Sequence, residues 1–450
     1  MGTAAASTGA VGVPTHTDGA MSPLTAAPRP TRLPLPRVPW NGGPAYWARF
    51  ARTAEAGWTD PRFFPIVSWF DAVSTDAEVA YDRALGFNTY VGISPSTPYR
   101  LFAKNDVYWI GPALNDAPAR GVRHWVGYFL DDEADGRFSP VRAGLAHLRS
   151  LRAPLPRDRF AYANFTQMVI SRDMRAKDAE AFVNRFTDAV SLDMYWYTIP
   201  FCGLTPYRAP YLVPVHRATC RTASSYGAVV DALRERDAAD GRLQAVWQFV
   251  ELLNGGPGEG PYLGMIKPGQ LRGAVMSSLI HGARGIVYFN QSLTGPCQGG
   301  NLIRLSQVVR GFCGAAQVAA AGVVNNQVRV LAPVLNSQSY VYRFGPGLDT
   351  MLKGYDGYAY VFAMAGTSRP LGMRTFALPP GVDGNRVEVL FEHRTLPVIG
   401  RRFKDSFAAE YSYHVYRIPV AAVSAASGSP GTAGTGVPGT AGTGDGARHS

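Results

Sequence analysis

One unit, an apolar run followed by a helix-patterned stretch, recurs eight times between Phe63 and Gln291, and this alternation limits the fold more than any other property of the chain. The runs are 63–69 (FFPIVSW), 87–93 (FNTYVGI), 107–111 (VYWIG), 124–130 (HWVGYFL), 160–165 (FAYANF), 189–196 (AVSLDMYW), 243–250 (LQAVWQFV) and 285–290 (GIVYFN). They are apolar throughout, the pattern of parallel strands buried on both faces, where half-exposed antiparallel strands would alternate. Helical stretches are expected near 139–151, 175–187, 224–238, 268–282 and 302–320, and Thr75 with Glu78 reads as a capping box opening an earlier helix that Gly86 stops. Eight βα units bury both faces of every strand only by closing into a ring, and the span 63–320 is close to the roughly 250 residues such a ring takes. A (β/α)8 TIM barrel over 37–323 is therefore expected, with the carboxyl ends of its strands gathered around one pocket.

After about residue 324 the pattern changes to alternation, in QVRVLAP, SYVYRF, YAYVFAMAG, MRTFALP, RVEVLFEHRTLPVIG and YSYHVYRIPV. This predicts a small antiparallel β-sandwich over 324–423 as an accessory domain. Residues 1–36 are rich in Ala, Thr and Pro and read as a disordered leader. Residues 424–450 repeat PGTAGTGV as PGTAGTGD and read as a flexible tail.

The net charge of +11 raises nucleic acid as a partner, but the arginines are scattered and no recognition-helix, zinc-finger or RNA-binding sheet signature occurs, so none is expected. Attraction to a polyanionic surface is compatible with the charge. No membrane insertion is expected, since no run of about 20 continuous apolar residues is visible, and the first twenty residues lack the basic-then-apolar pattern of an export signal. The four cysteines fall as two local pairs, Cys202 with Cys220 and Cys297 with Cys313, either two loop staples or four buried thiols. No Cys/His set has zinc spacing, and neither a metal nor a cofactor is expected. There is no nucleophile elbow, dinucleotide fingerprint or phosphate loop; the Gly-rich stretch 254–264 reads as a mobile rim.

Acids and aromatics concentrate at the strand ends. Asp131, Asp132 and Glu133 follow the fourth run, Asp193 ends the sixth, Glu251 follows the seventh and Asp71 the first, where it would serve as a helix cap. Glycosidic cleavage needs two carboxyl functions, one protonated for the leaving group and one ionised. Trp69, Tyr128, Tyr195, Trp196 and Trp247 offer faces for sugar rings, with Asn164, Gln248 and Asn290 as polar contacts. His124 and His281 fall away from the carboxyl ends and read as packing histidines.

The stretches GYFLDDEAD (127–135), SLDMYWYT (191–198), VWQFVEL (246–252), HGARGIVYFNQS (281–292) and FKDSFAAEYSYHVYRIP (403–419) resemble the clan A glycoside hydrolases, (β/α)8 enzymes that often carry a C-terminal β-sandwich. The resemblance implies Glu133 as acid/base and Glu251 as nucleophile, although Asp132 stands where the clan usually has Asn. An adjacent Asp-Glu pair instead resembles hexosaminidases that work by substrate assistance, which would make Asp132 the residue that holds an acetamido group. Asp193 is a further candidate, as base of an inverting pair.

The chain is thus expected to be a glycoside hydrolase cleaving a bacterial cell-surface or cell-wall polysaccharide, outside the cell or on a virion. The alternative is a non-catalytic glycan-binding barrel of a phage tail, in contact with other virion tail proteins.

Overall fold

The computed structural model describes residues 31–118, 122–200, 202, 215–255, 261–367 and 370–420. Most of the expected leader, the expected tail and the centre of the Gly-rich stretch lie outside these residues. Nine parallel strands form the central sheet: β1 (Ile66–Trp69), β2 (Thr89–Val91), β3 (Tyr108–Ile110), β4 (Trp125–Asp132), β5 (Phe160–Phe165), β6 (Ala189–Leu192), β7 (Ala245–Val246), β8 (Gln248–Glu251) and β9 (Ile286–Phe289).

β7 and β8 are two halves of one run, and the ring closes through them. Ala245 and Val246 pair with Ala189 and Val190 on one side, while Gln248 to Glu251 pair with Ile286 to Phe289 on the other. Between them the Trp247 amide donates to Val190 O at 2.8 Å, and that of Gln248 to Gly285 O at 3.1 Å. Eight strand positions thus make a barrel, as the apolar runs required.

Side chains alternate between two cores. Val67, Trp69, Val91, Ile110, Tyr162, Trp247, Phe249 and Val287 fill the ring. Ile66, Ala161, Ala163, Val190, Val250 and Tyr288 face the surrounding helices. Two short helices, Pro44–Trp47 and Ala51–Glu55, bring Trp47 and Phe50 to the amino-terminal end; Trp47 packs on Trp58, Phe160 and Trp247 with ring centroids 4.9, 5.0 and 6.2 Å apart. The sequence pattern did not show this plug.

The capping box opening helix Asp76–Ala84 is present, with Thr75 Oγ1 accepting from the Glu78 amide. No helix connects β3 to β4 among the described residues, so the βα repeat is incomplete there. The single helix expected over 302–320 is two, Leu302–Val308 and Ala315–Leu335. The second includes 327–333, which alternation had made a strand, and the expected boundary at 324 falls inside it. Val318, Ala321, Val328, Leu331 and Leu335, all buried, recur at helical spacing, and that longer period prevails over the short alternation. By length and composition alone this helix is long and apolar enough to cross a membrane, but it is a largely buried core helix packed on helix Pro268–Ile280 and the first long sandwich strand.

The C-terminal strands are β10 (Ser339–Tyr340), β11 (Leu348–Tyr355), β12 (Tyr358–Ala365), β13 (Gly372–Ala377), β14 (Arg386–Val389), β15 (Arg394–Pro397), β16 (Arg402–Phe407) and β17 (Tyr413–Pro419). Six make a sheet in the order β10-β11-β12-β17-β14-β15, and β13 pairs with β16. Stacked Phe376 and Phe403, 4.5 Å apart, join the two layers with Tyr416. β11, hidden from the sequence pattern by Asp349 and Lys353, turns into β12 through Asp356-Gly357, both at positive φ as this tight hairpin requires. Residues 31–36, assigned to the leader, instead lie on the sandwich: Leu33 is in its core, and Thr31 Oγ1 accepts from the Gly357 amide.

Candidate active site

The acids of β4 owe their directions to an irregularity in strand pairing. Phe129 pairs with Tyr162, but the next partners are Asp132 and Asn164, three residues on against two. The extra residue shifts the side-chain parity, as bulges do. Asp132 therefore lies beside Asn164, whose Nδ2 donates to its Oδ1 at 2.9 Å. Asp131 turns the other way and is tied to Arg137 at 2.5 Å and His147 at 2.9 Å, a structural role.

Glu133 ends the strand in the left-handed region, φ 56°, a conformation costly for a residue with a Cβ and found disproportionately at functional sites. Its amide donates to Asn164 O at 2.9 Å, and its carbonyl accepts from the Gly136 and Arg137 amides. The carboxyl so presented shares a hydrogen bond with that of Asp193 at the end of β6. Burial, then the Glu133 carboxyl and the charge of Asp132, push Asp193 well above the ordinary carboxylate range, and its Oδ1 has no partner among the described residues. Asp132 is pushed up to about 6, mainly by burial, with Asn164 pulling the other way.

Asn164 links this acid group to the barrel interior. Its Oδ1 accepts from Ser191 Oγ at 2.7 Å, and Ser191 in turn shares a hydrogen bond with the Tyr162 hydroxyl at 2.6 Å. Below the mouth, Asp135 accepts from the Thr166 amide and hydroxyl and is pushed up to about 7 by burial, anchoring the loop after β5.

Glu251 has no exposed surface. The Tyr226 hydroxyl lies 2.8 Å from both its carboxyl oxygens, Thr198 Oγ1 donates at 3.2 Å, and burial pushes it up to about 7. Tyr226 and Thr198, absent from the sequence reading, are thus its holders; Tyr226 opens the helix after β6, and an isolated tyrosine gives no pattern to find. Tyr195 lies within electrostatic reach of both acid groups, since burial and then Asp193, Asp132, Glu251 and Glu133 all raise its hydroxyl. Its ring packs on Phe249 and Phe289.

The other aromatics stand elsewhere than expected. Trp69 faces into the ring under the mouth, against Phe129 and Phe249. Trp247 is buried deeper, on Tyr162 and Phe160. Tyr128 faces outward, its hydroxyl accepting from Arg159 at 3.2 Å, and Trp196 is sealed in the helix layer. Gln248 also points outward, its amide donating to Phe249 O. Asn290 is occupied by the loop after β9, donating to Asn301 and accepting from the Ile303 amide. Asp71 caps no helix: it is buried between Ser68 and Asn301. None of Tyr128, Trp196, Trp247, Gln248 and Asn290 is placed to meet a sugar.

Phe70, which the sequence reading passed over, is 39% exposed at the rim, at φ 55° directly after β1. Gly92 opposite it is required, since a Cβ there would stand 2.9 Å from the Phe70 ring. The Trp69-Phe70-Asp71 succession at a strand end was the available signal.

Both cysteine pairs are disulfides, Cys202–Cys220 and Cys297–Cys313, with Cα atoms 5.9 and 6.0 Å apart. The sandwich reaches the same end of the barrel: Glu410 accepts from the Tyr197 hydroxyl at 2.9 Å and from the Ala223 amide at 2.9 Å, and the Tyr197 amide donates to the Tyr226 hydroxyl that holds Glu251.

No protein-family model matches the chain, and no curated protein does. Among solved structures, a glycoside hydrolase family 5 protein from Bacteroides vulgatus is similar at a TM-score of 0.45 and 9% identity, covering 80% of this chain and 89% of its own. A putative alpha-galactosidase from Bacteroides fragilis is similar at 0.44 and 10%, covering 79% of each chain. AmyP bound to maltotriose is similar at 0.45 and 10%, covering 82% of this chain and 98% of its own. The likeness is loose and assigns no role to any residue of this chain.

Proposed function

We propose that this protein is a glycoside hydrolase acting through the Asp132, Glu133 and Asp193 carboxyls on an N-acetylated polysaccharide of a bacterial surface or cell wall. The observation that carries the reading is the meeting of the Glu133 and Asp193 carboxyls at the ends of β4 and β6, where burial and then Glu133 push Asp193 well above the ordinary carboxylate range. Two carboxyl groups can bond to one another only if one of them keeps its proton, so the pair retains an acid at the barrel mouth where an isolated carboxyl would be ionised. A retained acid proton is what departure of a sugar leaving group needs.

Two carboxyls that meet leave no room between them for the sugar carbon that a retaining pair flanks at roughly 5 Å, or for the added water of an inverting pair at roughly 6.5 to 9.5 Å. Glu133 and Asp193 therefore act together as the proton donor, and the ionised function falls to Asp132, fixed by Asn164. Beside Glu133 it is suited to orient a substrate acetamido group. The acetamido oxygen forms its bond to C1 as the glycosidic C–O bond breaks and the acid proton passes to the leaving oxygen. Water then opens the cyclic intermediate at C1 and returns a proton to the pair. Phe70 and Tyr195 supply apolar faces for the sugar. The two disulfides support a location outside the reducing cytosol, on a secreted protein or a virion tail, and the positive charge supports attraction to an anionic envelope.

The second reading is a glycan-binding barrel without turnover. It is favoured by Glu251, which is enclosed and engaged where a nucleophile would need access.

Purified protein is to be incubated with peptidoglycan, N-acetylated oligosaccharides and arabinogalactan, and new reducing ends measured. Product from the N-acetylated substrates, abolished in Glu133→Gln while binding persists, is expected. Equal turnover by both forms removes the assignment, and binding without product supports the second reading.

A further inference from the structure

At the opposite end of the barrel, where the sandwich meets it, two basic side chains converge on one indole and a third lies close by. Arg284, just before β9, places its guanidinium 3.5 Å from the centroid of the Trp40 ring, and Lys353 of β11 places its ammonium 5.3 Å from it. Arg234, on helix Ser224–Asp237, approaches the neighbouring Gly282. Lys353 has no exposed surface and Arg284 is 4% exposed. Among the described residues their side chains donate to carbonyl oxygens: Arg284 to Leu335, Lys353 to Ser337, Arg234 to His281 and Pro39. The first two lie at the end of helix Ala315–Leu335, whose partial negative charge offsets part of the cost of burying two cations.

A larger part is left open. Nε and Nη2 of Arg284 are buried without a partner among the described residues. These two N–H groups lie on the same edge of the guanidinium, the fork that meets two oxygens of a carboxylate or phosphate side by side. A buried charge with its recognition edge empty is costly. The acids nearby do not fill it, because Asp231 and Asp349 are held by His281 at 2.7 and 2.9 Å. Arg284, Arg234 and Trp40 line a hollow of about 190 Å³ that extends to His281, Ser339 and Asp349.

We propose that this hollow is a binding site for an oxyanion, a carboxylate or phosphate group on a small ligand, taken two-pronged by the Nε and Nη2 edge of Arg284 with Arg234 adding charge, and that the half-buried Trp40 indole is its cover. The site is separate from the carboxyl-lined mouth and has the opposite charge.

The test is calorimetric titration of the whole protein at low ionic strength with inorganic phosphate and, separately, acetate. Saturable binding of at least one is expected, and the stronger arm tells phosphate from carboxylate. Arg284→Lys keeps the charge and loses the fork, so binding should weaken at least tenfold; Trp40→Ala uncovers the edge and should tighten it; Glu133→Gln should leave it unchanged. Absence of saturable binding in both wild type and Trp40→Ala overturns the proposal, as does unchanged affinity in Arg284→Lys. Should Arg284→Lys fail to fold, Arg234→Met serves in its place, with weakening of several-fold expected and none counting against the site.

Discussion

Asp193 and Glu133 meet carboxyl to carboxyl across the barrel mouth, one from the end of β6 and one from the end of β4, with β5 between. In the proposed reaction this pair supplies the acid proton. Asp193→Asn preserves shape and polarity but cannot pass a proton, so kcat on an N-acetylated substrate is expected to fall by about 10² to 10³ with little change in KM. A kcat within twofold of wild type would show that the pair has no part in turnover.

Stability should depend on pH through Glu251. Its pKa is raised from 4.5 to about 7, so the folded protein holds a proton that the unfolded chain releases. This contribution is fully present below pH 4.5 and lost as pH rises through about 7. Glu251→Gln keeps an acceptor for Tyr226 and Thr198 and removes the titration. Denaturant midpoints compared at pH 5 and pH 8 should show wild type losing roughly 2 to 3 kcal/mol relative to the variant, at about 1.4 kcal/mol per pKa unit. Parallel pH curves would contradict the burial of an ionisable Glu251.

Phe70 and Trp247 separate recognition from packing. Phe70→Ala removes a rim aromatic and should weaken glycan affinity several-fold, on the order of 1 kcal/mol, with little change in melting. Trp247→Ala opens a cavity where the ring closes and should cost about 3 to 5 kcal/mol of stability. Affinity electrophoresis and chemical denaturation read the two effects, and a reversal of the pattern would move the sugar platform inward.

Cys297→Ser with Cys313→Ser frees a loop closed across 16 residues, a loss of about 3 kcal/mol on chain-entropy grounds. Melting of the double variant in non-reducing buffer should match wild type in reductant as far as this bond contributes. An unchanged melting temperature would mean that helix packing alone holds the loop.

The barrel was legible because burial on both faces leaves continuous apolar runs, and the helix at Thr75 because its capping residues are adjacent in sequence. Asp132, Glu133 and Asp193 were found as acids at strand ends. What escaped depends on partners far along the chain. The displaced pairing between Phe129 and Asp132 exists only against β5, so no reading of β4 alone could tell Asp131 from Asp132. Tyr128 and Trp196 were misplaced for a related reason: strand parity counts only once a neighbour fixes which face is inside. Residues 327–333 were misread because a seven-residue window sees alternation where a helix of 21 residues shows its true period. Phe70 was missed because a positive φ on a phenylalanine is invisible without coordinates.

The bond from Glu410 to Tyr197 makes the C-terminal module a foundation stone for the opposite domain. Removing that module, or grafting it from a relative without an acid at the same place, would leave a tyrosine hydroxyl and the Ala223 amide without their acceptor, one step from the residue that clamps Glu251. The two modules are therefore bound to change in concert over evolutionary time, and exchange of either alone should yield a protein that assembles yet loses order around Glu251.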